Sequence, residues 1–216
     1  MRIEEAIRKY KVICIIRNAM TTKLVEAVDV MAQAGIRLFE VTLNQKDGES
    51  IKESVQQIDL LNKTFGNNIF LGAGTVMKPE QVDMVHEVGA RYIISPDTSE
   101  KVIKQTLKRN LVSIPGAFTP TEIAFAYQCG AHMVKLFPAG VLGLKYIKDL
   151  KGPLGHIPLL AVGGVDSGNI KAFLDAGVLG VGIGSSLANP IVINNGQWDV
   201  LKANAKIYAD VARLAD

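Results

Sequence analysis

Two cysteines and three histidines are all that this 216-residue chain offers toward disulfide or metal chemistry. Cys14 and Cys129 each sit inside an apolar segment, without Cys-x-x-Cys or Cys/His ligand spacing, so neither a disulfide framework nor a zinc site is indicated and both read as core filler. His86, His132 and His156 are scattered and lack the paired spacing of a metal site. No metal and no cofactor are predicted. Also missing is any apolar run near the roughly 20 residues needed to span a bilayer. The opening MRIEEAIRKYKV carries acids early and has no apolar stretch before a small-residue cleavage site, unlike a secretory signal. Charge of one sign is not concentrated either: 24 basic residues face 21 acidic ones, and the net +3 forms no basic arm or stripe. No nucleic acid or membrane is expected as a partner, and the cytoplasm is the default location. A small anionic ligand remains compatible with this composition.

No linker, low-complexity tract or composition shift divides residues 1–216, which predicts one domain. Within it, short β-like runs alternate with longer helical ones eight times, at 12–16, 37–42, 69–73, 91–94, 111–114, 132–137, 158–162 and 180–183. Amphipathic segments at 23–34, 48–65, 79–88, 100–109 and 169–176 lie between them, and 191–216 reads as a closing helix. Pro79 suits a first helical turn, and Thr119-Pro120-Thr121-Glu122 reads as an N-cap followed by proline at the first helical position. Gly35, Gly89, Gly130 and Gly177 each follow a helical run where a left-handed cap is wanted. Repeated βα units predict a parallel sheet, and eight of them in a chain above the lower bound of about 200 residues predict a closed (β/α)₈ TIM barrel. An open doubly wound sheet is disfavoured because no Gly-x-Gly-x-x-Gly follows the first strand.

Catalytic groups of such a barrel lie at the C-terminal ends of its strands. Two charged residues interrupt apolar strands there: Glu40 in LFEVTL and Lys135 in MVKLFPA. Alternation puts Leu38, Glu40 and Thr42 on one face, and Met133, Lys135 and Phe137 on one face of their own strand. A barrel strand has helices outside it, so both charges are expected to point into the mouth. A lysine partly desolvated beside another cation is available as the amine that Schiff-base chemistry needs. Arg17, at the end of the first strand, reads as that cation or as a salt-bridge partner of Glu40, two roles that one guanidinium can serve together. Glycine-rich turns follow the seventh and eighth strands, Gly163-Gly164 and Gly182-Ile183-Gly184-Ser185, where this fold repeatedly binds phosphate. Gly72-Ala73-Gly74-Thr75 ends the third strand and offers backbone donors and the Thr75 hydroxyl to a second anionic group. Ser95-Pro96 and Pro115-Gly116 read as turns, with walls of the pocket as the alternative.

Taken together, EVTL, GAGTV, SPD, PG followed by TPTE, VKLFPA, GGV and GIGSSL resemble the 2-keto-3-deoxy-6-phosphogluconate aldolase family over nearly the whole chain. That family includes enzymes acting on 4-hydroxy-2-oxoglutarate and on 2-keto-3-deoxy-6-phosphogalactonate, and its members are metal-free class I aldolases that are usually homotrimers. The resemblance implies Lys135 as the Schiff-base residue, Glu40 as general acid/base, and Thr75 on the substrate carboxylate. It further implies Gly163, Gly164 and Ser185 on the phosphate, with Phe137 and Pro96 walling the pyruvyl group and Arg17 matching a cation commonly found there. Many phosphogluconate-cleaving members carry arginine directly after EVTL, where this chain has Asn44. The LN pair, LGLKYIKDLKGPL and LLAVGGV look more like the phosphogalactonate branch. The expected substrate is the phosphogluconate compound, with the phosphogalactonate epimer as the alternative. A phosphosugar isomerase using Glu40 as base would not need a covalent Lys135, and a non-enzymatic phosphosugar-binding barrel would leave both inward charges unexplained.

Overall fold

The computed structural model describes residues 1–214, among which nine parallel strands alternate with ten α-helices. The strands are β1 Val12–Ile16, β2 Leu38–Thr42, β3 Phe70–Gly74, β4 Tyr92–Ile94, β5 Val112–Ile114, β6 Gly116–Ala117, β7 Val134–Leu136, β8 Leu159–Val162 and β9 Gly180–Ile183. They form one sheet in the order β5-β4-β3-β2-β1-β9-β8-β7-β6. Its two ends, β5 and β6, are halves of a single run interrupted at Pro115, which has no N–H to give to a ladder. The eight-fold circle therefore closes through one chain segment, and the architecture is a (β/α)₈ barrel. Pro115-Gly116 is thus not a turn: Gly116 pairs with Lys135, and Lys135 N–H donates to the Pro115 carbonyl at 2.8 Å.

Every strand is buried on both faces, as a parallel sheet wrapped in helices requires. The outward residues, among them Cys14, Phe39, Val41, Leu71 and Ala73, pack against Leu24, Val28 and Met31 of α2 (Thr21–Gln33) and Ile58 and Leu61 of α3 (Gly48–Phe65). Cys14 is fully buried there, whereas Cys129 is only half-buried at the margin of this core. The inward residues form a second core of Ile13, Leu38, Phe70, Tyr92, Ile94, Val112, Ile114, Met133 and Leu160. Three residues of an N-terminal helix, α1 (Ile3–Tyr10), join it: Ile3, Ala6 and Ile7. The sequence reading missed this helix, although Ile3, Ala6, Ile7 and Tyr10 have the i, i+3, i+4, i+7 spacing of an apolar stripe. Glu4 and Glu5 in its first turn and Arg8 and Lys9 in its last complement the helix dipole.

Helix boundaries follow local chemistry. The Asp47 side chain caps α3 by accepting the Ser50 N–H at 2.8 Å, and Thr119 with Glu122 forms a reciprocal capping box on the helix Pro120–Gln128. Gly35, Gly89, Gly130 and Gly177 all take positive φ after their helices. The expected closing helix is two, Pro190–Asn194 and Trp198–Arg213, separated where Gly196 turns the chain at φ 66°. The last two residues of that expectation, 215 and 216, lie outside the described residues. Among the described residues no helix is long and apolar enough to cross a membrane.

Candidate active site

Alternation along β2 carries the inward face from Leu38 in the apolar core to Glu40 and Thr42 nearer the mouth, and the β7 segment runs likewise from Met133 to Lys135 and Phe137. Glu40 is 1% exposed and Lys135 7%. The space for Glu40 comes from β3, whose inward positions are Phe70, Gly72 and Gly74. A methyl group on Gly74 would lie 1.5 Å from Glu40 Oε1, and one on Gly72 would lie 2.3 Å from the ring of Tyr92. Tyr92 in turn donates its hydroxyl to the Phe39 carbonyl at 2.6 Å, fixing the floor beneath the carboxylate. The two glycines of GAGT therefore make room, a role invisible to a reading that looked for backbone donors.

The electrostatics of the pair follow from burial. Among the described residues Glu40 Oε2 has no hydrogen-bond partner. Desolvation pushes the Glu40 carboxyl up to about 6, against the opposing pull of the Lys135 and Arg17 charges. Burial also lowers the Lys135 ammonium below its ordinary value; Glu40 opposes this and Arg17 adds to it. The Lys135 Nζ stands 4.5 Å from the centre of the Phe137 ring. A buried lysine held toward the neutral amine, beside a carboxylate able to exchange a proton near neutrality, is equipped for imine formation and proton transfer.

Arg17 is exposed and forms no direct salt bridge with Glu40 among the described residues, although its charge still pulls the Glu40 carboxyl downward. Its guanidinium donates to Thr75 Oγ1 at 3.2 Å, and it lines a cavity of about 290 Å³ together with Gly184 and Ser185. Pro96 is half-buried against Gly116, whose added methyl would meet the Pro96 carbonyl at 2.4 Å, so Pro96 stands beside the residue paired with Lys135. Phe137 lies between Lys135 and Gly163: a methyl on Gly163 would touch its ring at 3.1 Å.

The two glycine-rich turns are brought together by the pairing of β8 with β9 and by Ser186, whose hydroxyl donates to the Val165 carbonyl at 3.2 Å. Gly163 and Gly164 take consecutive positive φ of 84° and 78°. Their carbonyls accept from Gly140 N–H and from the Asn169 amide. Asn204 and Tyr208, on the last helix, donate to the Ser186 carbonyl and anchor the second turn, a support the sequence reading did not find. Ser186 is thereby committed to the fold, while Ser185 is exposed and its side chain makes no hydrogen bond among the described residues. Asn44 is also exposed; its backbone N–H donates to Ser54 Oγ and its side-chain Oδ1 accepts from Lys46 N–H. It borders a separate polar cleft of about 240 Å³, lined also by Thr42, Ser54 and Gln57, that holds neither Lys135 nor Glu40. Among the described residues no group of three or more His, Cys, Asp or Glu is placed to hold a metal ion.

Comparison with known proteins bears on this geometry. The family model described as KDPG and KHG aldolase matches residues 3–204. The chain is 35% identical over 180 residues, 83% of its length and 85% of the relative's, to the 2-dehydro-3-deoxy-6-phosphogalactonate aldolase of Escherichia coli strain K12. It is 30% identical over 201 residues, 90% of its length and 91% of the relative's, to the KHG/KDPG aldolase of the same organism. A solved structure described as native KDPGal superposes with a TM-score of 0.83 at 32% identity, covering 94% of this chain and 95% of that one. The chain belongs to the KDPG and KHG aldolase family, the class I, Schiff-base-forming carbon–carbon lyases that act on phosphorylated keto-sugar acids.

Proposed function

We propose that this aldolase cleaves 2-dehydro-3-deoxy-6-phosphogalactonate to pyruvate and glyceraldehyde 3-phosphate, with Lys135 as the Schiff-base residue and Glu40 as the proton-transfer group. The observation that carries the chemistry is the buried Lys135, its ammonium disfavoured by desolvation, beside a Glu40 carboxylate with an unpartnered oxygen. The Lys135 amine attacks the C2 ketone and water leaves, giving a protonated imine. The C3–C4 bond then breaks with its electron pair passing into the imine, while Glu40 takes the C4 hydroxyl proton. Glu40 returns a proton to C3 of the enamine, and water hydrolyses the pyruvate imine. Thr75 and Arg17 would hold the carboxylate, Pro96 and Phe137 the pyruvyl group, and Gly163, Gly164, Gly184 and Ser185 the phosphate. Holding both anionic ends leaves the reacting carbons in register and lowers the entropic part of the barrier.

The choice of epimer departs from the sequence expectation, which placed phosphogluconate first. It rests on Asn44 in place of an arginine and on the greater similarity to phosphogalactonate-cleaving relatives, including a second one, a probable enzyme of Rhizobium meliloti strain 1021, at 33% identity. A side-by-side coupled assay of pyruvate release from the two phosphorylated epimers tests it, with 4-hydroxy-2-oxoglutarate as a third substrate. A higher kcat/KM for the gluconate epimer would reverse the assignment. A homotrimer is proposed as the working assembly, supported by the large aromatic side chains that Phe118, Phe125 and Tyr127 expose in one short stretch. Sedimentation at micromolar concentration would show it.

A further inference from the structure

Thr75 is a β-branched residue at φ 57°, a left-handed conformation such side chains rarely adopt. Something must hold it there, and the structure shows what does. The Gln45 amide donates from Nε2 to the Thr75 carbonyl at 2.7 Å. Gln45 is itself locked by Gln81: Gln81 Nε2 donates to Gln45 Oε1 at 2.8 Å, and Gln45 Nε2 donates in return to Gln81 Oε1 at 3.3 Å. Gln81 is 4% exposed, and its Oε1 also accepts the N–H groups of Met77 at 2.8 Å and Lys78 at 3.2 Å, the two residues that lead into the helix Pro79–Glu87. A reciprocal amide pair thus ties the loop after β2 to the loop after β3, and its free donor is spent on the peptide of the residue that accepts from Arg17. Asn44 bonds to Ser54 and Lys46, so the link from this loop to the site runs through its neighbour Gln45.

We propose that Gln45 is a positioning residue for recognition of the substrate carboxylate, acting through the backbone of Thr75 and held by Gln81. This inference rests on the proposed imine chemistry and on Thr75 with Arg17 as the carboxylate site. Removing the Gln45 donor frees the Thr75 peptide to leave its left-handed conformation, moving its hydroxyl away from Arg17. The loss falls on binding of the carboxylate and not on attack by Lys135.

Borohydride trapping of the intact enzyme with pyruvate, and with methyl pyruvate as a ketone lacking the carboxylate charge, reads the two apart. Gln45→Ala removes the side chain; Gln45→Met keeps most of its bulk and loses only the hydrogen bonds. In both variants the half-saturating pyruvate concentration should rise about five- to tenfold, as expected for one lost hydrogen bond in a half-buried site, with the maximal trapping rate unchanged. Methyl pyruvate should be trapped alike by variants and wild type. The proposal is overturned by an unchanged pyruvate half-saturation in Gln45→Met, by equal shifts for the two ketones, or by a loss confined to the maximal rate. A wild type that pyruvate and borohydride fail to modify overturns the imine reading itself, and this proposal with it.

Discussion

At the N-terminal end of the barrel interior, Leu38 and Met133 pack with Ile13, Phe70, Leu160 and the plug of Ile3, Ala6 and Ile7. Two residues further along the same strands, Glu40 and Lys135 take the equivalent inward positions, and β3 turns from Phe70 to glycine to leave them space. One end gains stability from apolar area removed from water. The other accepts the cost of a buried carboxylate with an unpartnered oxygen and a lysine driven from its charged form. The difference teaches that stability and reactivity are held apart along the same strands: the lower layer is packed and apolar, while burial at the level of the pair itself shifts both groups toward exchangeable protons.

Substitutions at the two ends should therefore have opposite signatures. Lys135→Ala has the largest expected effect: lyase activity falls to the assay background while the melting curve stays cooperative, and a variant retaining turnover would remove Lys135 from the mechanism. Leu38→Ala, at the other end, should cost about 2–5 kcal/mol of stability by opening a cavity in a fully buried layer. Its kcat should stay near wild type; urea unfolding and steady-state kinetics on one preparation check both halves. If Ser185 holds the phosphate as proposed, Ser185→Ala removes a hydrogen bond to a charged group, worth roughly 1.5–3 kcal/mol, and kcat/KM for the phosphorylated substrate should fall about 10- to 150-fold. 4-Hydroxy-2-oxoglutarate should hardly register the change, and equal losses on both substrates would withdraw the phosphate assignment.

The smallest effect is one of sign. Glu40 titrates at about 6 in the fold against an ordinary value of 4.5, so the folded state binds the extra proton between those values and stability declines as pH rises through them. That shift is worth about 2 kcal/mol above pH 6. Glu40→Gln should accordingly be the more stable protein at pH 8 by up to about that amount and equal to wild type at pH 4, while losing most of its activity. A stability difference independent of pH would contradict the buried, unpaired carboxylate. The wild-type kcat/KM should show an acid limb near pH 6 for the same reason.

Much of this was legible because local chemistry marks it. Gly35, Gly89, Gly130 and Gly177 announced helix ends, the 48–65 helix was read at its observed limits, and Glu40 and Lys135 stood out as charges inside apolar strands. Helix α1 escaped because its apolar stripe is only four residues wide among charged neighbours, and its purpose appears only when the barrel above it closes. The fifth barrel strand was mistaken at Pro115-Gly116 because proline before glycine is ordinarily a turn signal, whereas here pairing with β7 carries the strand across it. Gly72 and Gly74 could be seen as glycines but not as spaces, since Tyr92 and Glu40 come from other strands. Gln45 with Gln81, and Asn204 with Ser186, join residues far apart in the chain, and no local pattern announces such contacts.

The most direct measurement is peptide mapping by mass spectrometry after borohydride reduction of the native enzyme in the presence of pyruvate. Burial of Lys135 beside Glu40 predicts a single reduced pyruvyl adduct on the peptide containing Lys135, absent from Lys135→Ala and unaffected by exhaustive chelation. An adduct on another lysine, or one that persists in Lys135→Ala, would contradict it.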